Sequence, residues 1–312
     1  MNRLVIGTRG SLLARWQSAY VASTLRTAYP GLVIEERIIV TSGDRLSSGP
    51  LWNAGGKGVW VKEIEEALLA SEIDLAVHSM KDVPGEVADG LALVAVPPRA
   101  DARDALVSRT EQGLNELPRA VRLGTNSLRR ACQLKAMRPD MEIEVLRGNL
   151  DTRLRKIEEG VVDAAVLACA GLDRLGFAGR ITERLSIDQM LPAVGQGALA
   201  IEARADDTRV RELCRVLDHR ETATTILAER ELLARLGASC RTPVAGHAEL
   251  AGDQLTLRGL VGKVDGTAIL AGEMSAPAEQ AAELGRALAD DLLARGAAAM
   301  LDGVGYPDPV TR

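Results

Sequence analysis

The sequence predicts an α/β protein with two doubly wound units around a cleft and a smaller C-terminal α+β unit. Short apolar runs alternate with helical periodicity through the first two thirds of the chain, a pattern that predicts parallel sheets with helices on both faces. The last third has one long helix followed by three consecutive strand-like runs. The chain has 312 residues, of which 46% are hydrophobic, and this is enough for two or three cores.

The first unit begins with an apolar strand and then alternates helix and strand. Its predicted elements are a strand at 4–7, a helix at 11–28, a strand at 32–41, a helix at 59–69, a strand at 73–78 and a strand at 91–96. Tyr29-Pro30 ends the first helix, because proline cannot continue one. Pro97-Pro98 closes the last strand and is a candidate hinge into the second unit.

The second unit repeats this alternation. Its predicted elements are a strand at 121–124, a helix at 127–137, a strand at 142–146, a helix at 150–159 and a strand at 164–168. Thr125 or Asn126 is the expected cap of the first helix, and Asn149 that of the second, since their side chains can accept from free helical N–H groups. The segment 191–198 is a candidate return to the first unit.

The last third predicts the α+β unit. Its elements are an amphipathic helix at 222–236, strands at 244–250, 255–261 and 268–273, and an alanine-rich helix at 278–295. The predicted domains are 1–97 with 198–216, then 98–197, then 217–312.

Composition excludes several classes of function. A net charge of −5 and 2% aromatic residues argue against nucleic-acid binding. No apolar run reaches membrane-spanning length, and no signal peptide is expected. Four cysteines without CxxC spacing predict neither a disulfide framework nor a zinc site. A reducing cytoplasm fits this cysteine usage best.

Arginines cluster in the second unit, where residues 122–156 hold nine Lys/Arg against four Asp/Glu. Five arginines of this unit, four of them in that range, follow predicted strands or begin helices: Arg129, Arg130, Arg147, Arg153 and Arg174. Ligands of open α/β sheets bind at the carboxyl ends of the strands, where helix N-termini add N–H donors. Arginine forks bind carboxylates in a bidentate way. We therefore expect an anion site, against the alternative of solvated helix residues paired with acids, which we prefer for Arg138 and Arg155.

Two further segments hold candidate binding residues. Arg9 and Ser11 follow the first strand in the same kind of strand-to-helix turn. Lys57 lies in the glycine-rich run 55–58, which lacks the spacing of a P-loop and on its own favours a surface loop.

The candidate catalytic groups are a carboxylate and a thiol. Asp82 stands beside Lys81 after a strand and could hold a positive centre or move a proton, although turn aspartates more often bond backbone N–H groups. Cys240 follows a helix on a predicted loop, and the neighbouring Arg241 favours its thiolate. The other cysteines, Cys132, Cys169 and Cys214, are expected to pack as small apolar residues.

Several of these segments, in this order, resemble the hydroxymethylbilane synthase family, also called porphobilinogen deaminases. The matching segments are 6–11, 55–58, 76–84, 124–130, 146–149, 152–154, 191–197 and the loop of Cys240. Beyond about residue 250 the chain is similar to the family only in layout. Three positions depart from the family pattern, namely Trp60, Asn126 and Arg241.

The resemblance implies an enzyme that joins four porphobilinogen molecules head to tail and releases ammonia at each step. The chain would grow on a dipyrromethane cofactor bound by a thioether to Cys240, and the hydroxymethylbilane product would pass to a downstream cyclising synthase. Asp82 matches the catalytic aspartate, which binds pyrrole N–H groups and stabilises a cationic azafulvene. The residues implied to bind cofactor and substrate carboxylates are Arg9, Arg129, Arg130, Arg147, Arg153 and Arg174, with Ser11, Lys57, Lys81, Thr125 and Ser127 in support.

Two other interpretations use the same residues. A non-catalytic anion-binding module could have the two-unit plan of periplasmic binding proteins, but it would give Cys240 no role. A phosphate- or nucleotide-handling enzyme could use the loop at 55–58, and it would require magnesium.

Overall fold

The computed structural model describes residues 3–45, 58–239 and 242–302. The strands are β1 (Arg3–Thr8), β2 (Val33–Ile38), β3 (Leu75–Ser79), β4 (Leu91–Ala95), β5 (Asp104–Ser108), β6 (Arg122–Gly124), β7 (Glu142–Glu144), β8 (Ala164–Ala168), β9 (Glu183–Arg184), β10 (Leu199–Arg204), β11 (Val244–Ala251), β12 (Gln254–Gly262) and β13 (Ile269–Pro277). The helices are α1 (Leu12–Ala28), α2 (Ser42–Arg45), α3 (Lys62–Leu69), α4 (Leu128–Met137), α5 (Leu150–Glu158), α6 (Cys169–Arg174), α7 (Thr208–Cys214), α8 (Arg220–Arg235), α9 (Ala281–Ala294) and α10 (Ala297–Leu301).

The first sheet has the strand order β2-β1-β3-β10-β4. β1 pairs in parallel with β2 and β3, as the alternating pattern predicts. β10 is antiparallel to both β3 and β4, so the expectation of a wholly parallel sheet is wrong here. The reason is connectivity: β10 follows the return segment from the second unit and enters the sheet from the opposite end.

The second sheet has the order β7-β6-β8-β5-β9, and it too is mixed. β6 is parallel to β7 and β8, whereas β5 is antiparallel to β8 and β9. The sequence did not predict β5, although all five of its residues are buried. Its apolar run is short and begins with Asp104, so it gives a weak strand signal. The prediction of two α/β units is confirmed, and the limits of the domains stay a prediction.

The third sheet is the antiparallel meander β11-β12-β13, and α8 and α9 pack against it. Leu232, Leu288 and Leu292 are completely buried in this core, and each contributes about 1.5–3 kcal/mol by burial. Gly285 lies against α8 so closely that a Cβ would stand 2.4 Å from the carbonyl oxygen of Ala228. The predicted α+β unit is therefore confirmed.

Several local predictions need correction. Ser127, and not Thr125 or Asn126, caps α4, since its hydroxyl accepts from the N–H of Arg130. Asn149 stands at the N-terminus of α5 but makes no side-chain cap bond. Cys169 begins α6, directly after β8, and the sequence did not predict this short helix. Cys132, Cys169 and Cys214 are all buried, as expected. Within the described ranges, no helix is long and apolar enough to cross a membrane.

Candidate active site

Two adjoining cavities lie where the two α/β units face each other, at the carboxyl ends of their strands. The first, the Asp82 cavity, has a volume of about 180 Å³, and its polar lining residues are Lys81, Asp82, Asn126, Ser127, Arg129, Arg130, Arg153, Gln196, Ser239 and Thr242. The second, the Arg147 cavity, measures about 420 Å³ and is lined among others by Arg9, Ser11, Asp44, Arg147, Thr152 and Arg153. Trp60, Asn126 and Arg153 line both, so the cavities share a wall.

Asp82 reaches the first cavity because a 3₁₀ turn, Met80–Asp82, follows β3 directly. No described residue forms a hydrogen bond with its carboxylate, so both oxygens can accept from a ligand. Its negative charge raises the pKa of Lys81 and of Arg153, although burial and the charge of Arg130 lower both pKa values by more. A carboxylate so placed can accept N–H donors or stabilise a developing cation.

The cations of the Asp82 cavity repel one another. Burial, and next the charge of Arg130, lowers the pKa of Lys81 to about 8. The same two causes, in the same order, lower the pKa of Arg153 to about 10. The Arg153 Nε donates to the carbonyl of Gly148 at 2.8 Å, which leaves its terminal nitrogens for other partners. The cavity therefore favours a ligand with negative charge.

Arg129 and Arg130 lie on α4 and are only 3% and 6% exposed. Arg129 Nη1 donates to Oδ2 of Asp104 at 2.7 Å, and Arg130 Nη2 donates to Oδ1 at 2.7 Å. The sequence did not single out Asp104, which is completely buried at the start of β5. Burial alone would raise the pKa of Asp104, but the two guanidiniums hold it well below its usual range.

The return segment connects this arrangement to Lys81. Gln196 Nε2 donates to Oδ1 of Asp104 at 2.9 Å, and its Oε1 accepts from Nζ of Lys81 at 3.4 Å. Gly195 and Gly197, on either side, have positive φ angles of 72° and 88°. A Cβ on Gly195 would stand 2.5 Å from the Met80 side chain. Gly195 therefore lets the segment approach the turn that carries Asp82, whereas Gly197 lets it approach the carbonyl oxygen of Ala100, 2.5 Å from where a Cβ would stand.

The Arg147 cavity holds the strand-end residues of the first unit. Arg9 Nη2 donates to Oδ1 of Asp44 at 2.5 Å, and its guanidinium carbon lies 4.1 Å from the ring centre of Trp60. Ser11 caps α1 by accepting from the N–H of Ala14. Arg147, after β7, faces this cavity, and burial lowers its pKa.

Four of the predicted site residues do not line these cavities in the described structure or lie outside the described residues. Thr125 is buried, accepts from the N–H of Ser127, and is not among the described residues that line either cavity. Arg174, in the last turn of α6, donates to the carbonyl of Gly197 at 2.8 Å and also does not line these cavities in the described structure. Lys57 and Cys240 lie outside the described residues.

Two buried polar atoms of residues that line the Asp82 cavity point to the chemistry of a ligand. Asn126 Oδ1 and Arg129 Nε are buried, and neither has a hydrogen-bond partner among the described residues. One is an acceptor and the other a donor. A ligand that carries both N–H groups and carboxylates matches this pair.

Comparison with known proteins identifies the family. The model of the porphobilinogen deaminase dipyrromethane cofactor binding domain matches residues 4–212, and that of the porphobilinogen deaminase C-terminal domain matches residues 223–294. A porphobilinogen deaminase of Geobacter sulfurreducens is 48% identical over 312 residues, which is 100% of this chain and 98% of the relative.

Two solved structures are distantly similar to this chain. A TRAP periplasmic solute binding protein from Desulfovibrio salexigens has a TM-score of 0.44 and 11% identity, covering 71% of this chain and 73% of its own. The BvgS VFT2 domain of Bordetella pertussis has a TM-score of 0.41 and 20% identity, covering 69% and 86%. The structures bear on neither activity nor ligand. The two domain matches and the full-length relative show that the chain belongs to the porphobilinogen deaminase family.

Proposed function

We propose that this site condenses four porphobilinogen molecules head to tail, releases one ammonia at each step and yields hydroxymethylbilane. The chain is thus a transferase of tetrapyrrole biosynthesis, as its family membership indicates. The observation that supports this most strongly is the cluster of mutually repelling cations around Asp82. Each pyrrole of the growing chain carries an acetate and a propionate, and these carboxylates neutralise such a cluster.

The dipyrromethane cofactor fits the residues of the Asp82 cavity. Bound covalently, it supplies the pyrrole terminus on which the product is built. Ser239 and Thr242 line this cavity, which supports Cys240 as the thiol that carries the cofactor. The other residues that we propose to hold it are Ser11, Lys81, Asp82, Thr125, Ser127, Arg129, Arg130 and Arg147.

Porphobilinogen is proposed to bind beside the cofactor through its two carboxylates. The candidate residues are Arg9, Lys57, Arg147, Arg153 and Arg174. Arg153 is the best placed of the described residues, because it lines both cavities. Arg9 would have to share its guanidinium between Asp44 and a substrate carboxylate, since the ion pair already uses one edge of the fork.

Asp82 is proposed to act on the reacting atoms. When ammonia leaves porphobilinogen, the substrate becomes a cationic azafulvene. The Asp82 carboxylate accepts the pyrrole N–H and stabilises this positive charge, and it can assist the deprotonation that follows carbon–carbon bond formation. The Asp82 carboxylate lies beside the cations of Lys81 and Arg153, and its charge raises the pKa of each of them.

Three broader proposals accompany this function. The chain works in the cytoplasm and passes its product to a cyclising synthase, because a linear tetrapyrrole is an intermediate and not an end product. The domain limits are 1–97 with 198–216, 98–197 and 217–312. The family match favours this account over a non-catalytic binding module or a magnesium-dependent phosphate enzyme.

A stoichiometric assay of porphobilinogen turnover tests the function. We expect four porphobilinogen consumed and four ammonia released per hydroxymethylbilane. Asp82→Asn should keep the cofactor but lower kcat at least about 100-fold, the usual scale for a lost proton-transfer group. Asp89→Asn, on the exposed loop that follows, is the matched control and should be unchanged. Normal turnover by the Asp82 variant would refute the role of this carboxylate.

A further inference from the structure

Asp104 is a buried carboxylate that the proposed reaction does not use directly. It accepts four hydrogen bonds, from Arg129 Nη1 at 2.7 Å, Arg130 Nε at 3.0 Å, Arg130 Nη2 at 2.7 Å and Gln196 Nε2 at 2.9 Å. A fully buried charge costs several kcal/mol unless it is paired and hydrogen-bonded. Here every bond comes from a residue that lines the Asp82 cavity.

The bonds fix both arginines in one orientation. Arg130 is held along the edge formed by Nε and Nη2, so its remaining nitrogen is left for other partners. Arg129 is fixed by Asp104 and by the carbonyl of Leu191, which accepts from the same Nη1 at 2.8 Å. Without the carboxylate, two adjacent guanidiniums would repel each other in a buried site. That repulsion favours rotamers that turn them apart.

We propose that Asp104 is a positioning residue, which aims Arg129 and Arg130 at the cavity and reduces the net charge of the group they form with it to +1. This inference rests on the proposed function, because the arginines are aimed at the carboxylates of the pyrrole chain. Asp104 itself does not line the cavity among the described residues, so it acts through the arginines. Gln196 forms hydrogen bonds with both Asp104 and Lys81, so it links the Asp104 carboxylate of the second unit to the Lys81 cation of the first.

The chain offers a matched control in Asp163. This aspartate also holds two arginines of the second unit, accepting from Arg122 Nη2 at 2.9 Å and from Arg109 Nη2 at 3.4 Å. It differs in being partly exposed and in lining neither described cavity. Substitution there tests the general cost of breaking an Asp–Arg–Arg group.

The test compares Asp104→Asn, Asp104→Glu and Asp163→Asn in the cofactor-loaded enzyme. We expect Asp104→Asn to lower kcat/KM for porphobilinogen at least about tenfold, since misaimed forks lose charge-assisted bonds. Asp104→Glu should recover part of this loss, and Asp163→Asn should stay within about twofold of the parent. Equal kcat/KM for Asp104→Asn and Asp163→Asn would overturn the proposal.

A second measurement does not depend on activity or on the folding of the Asn variant. The side-chain Nε–H of Arg130 should give a slowly exchanging NMR signal in the parent and in Asp104→Glu, assigned by its loss in Arg130→Lys. A signal that exchanges as fast as those of exposed arginines would overturn the positioning role. A parent enzyme with this signal but no turnover would refute the proposed function and leave the positioning of Arg130 standing.

Discussion

Glu229 joins the C-terminal unit to the two segments that connect the α/β units, and its substitution has a calculable cost. It is completely buried on α8. Its carboxylate accepts from Arg99 Nη1 at 2.6 Å, from the N–H of Gly195 at 2.7 Å and from the N–H of Ala248 at 2.8 Å. Arg99 follows the predicted hinge, and Gly195 lies in the return segment. The Glu229 carboxylate is therefore bonded to both segments that connect the α/β units and to the β11–β13 meander.

The magnitude follows from the ionisation of this carboxylate. Burial alone would raise the pKa of Glu229, but Arg99 and then His247 lower it from the ordinary 4.5 to about 2. At about 1.4 kcal/mol per pKa unit, the ionised form contributes about 3 kcal/mol to stability. This agrees with the roughly 3–5 kcal/mol lost when one partner of a buried ion pair is removed. Because the folded pKa is depressed, the contribution is present above pH 4.5 and is lost as the pH falls towards 2.

Urea unfolding of Glu229→Gln measures the prediction. We expect the free energy of unfolding at neutral pH to fall by about 3 kcal/mol. Glu231→Gln is the matched control on the same helix, where a partly exposed carboxylate accepts from Arg286 at 2.7 Å. That change should cost less than about 1 kcal/mol. Values for the two variants within about 1 kcal/mol of each other would refute the assigned role of Glu229.

Two further predictions concern the cations of the Asp82 cavity. Lys81, whose pKa is lowered to about 8, is charged below this pH and loses its charge above it, so kcat/KM for porphobilinogen should fall as the pH rises through 8. Lys81→Arg should move that decline to higher pH, whereas the control Lys135→Arg should not. A pH profile of kcat/KM that Lys81→Arg leaves unchanged would contradict the role of Lys81. Arg153→Gln should raise KM about 10- to 100-fold, the scale of one charged hydrogen bond, as measured by steady-state kinetics. Arg155→Gln, two residues along the same helix and paired with Glu159 on the surface, should leave KM unchanged, and equal KM values for the two variants would count against substrate binding by Arg153.

The sequence was most informative where chemistry follows directly from strand order. Arg9, Asp82 and Arg147 each come after a strand, and the carboxyl-end rule predicts that they share one edge. The structure brings them to two adjoining cavities. Arg138 and Arg155 pair with nearby acids, as predicted for surface residues.

The sequence was least informative where contacts join distant parts of the chain. Asp104 accepts a hydrogen bond from Gln196, which lies 92 positions further along the chain, and no local sequence pattern predicts that contact. The antiparallel entry of β10 was missed for the same reason, since it depends on the path of the return segment and not on residue type. Arg174 was expected at the same edge, but it lies inside α6 and donates to Gly197 instead. The contacts of Asp44 and Trp60 with Arg9 likewise required the assembled fold.

The most direct test of the central claim is the intact mass of the denatured, purified protein, with peptide mapping of any adduct. We predict an excess of two linked pyrrole units on Cys240. Cys240→Ser should lack the adduct, and Cys132→Ser should retain it, because the Cys132 thiol is buried and burial raises its pKa to about 12. A parent protein that stays unmodified after incubation with porphobilinogen would contradict the account.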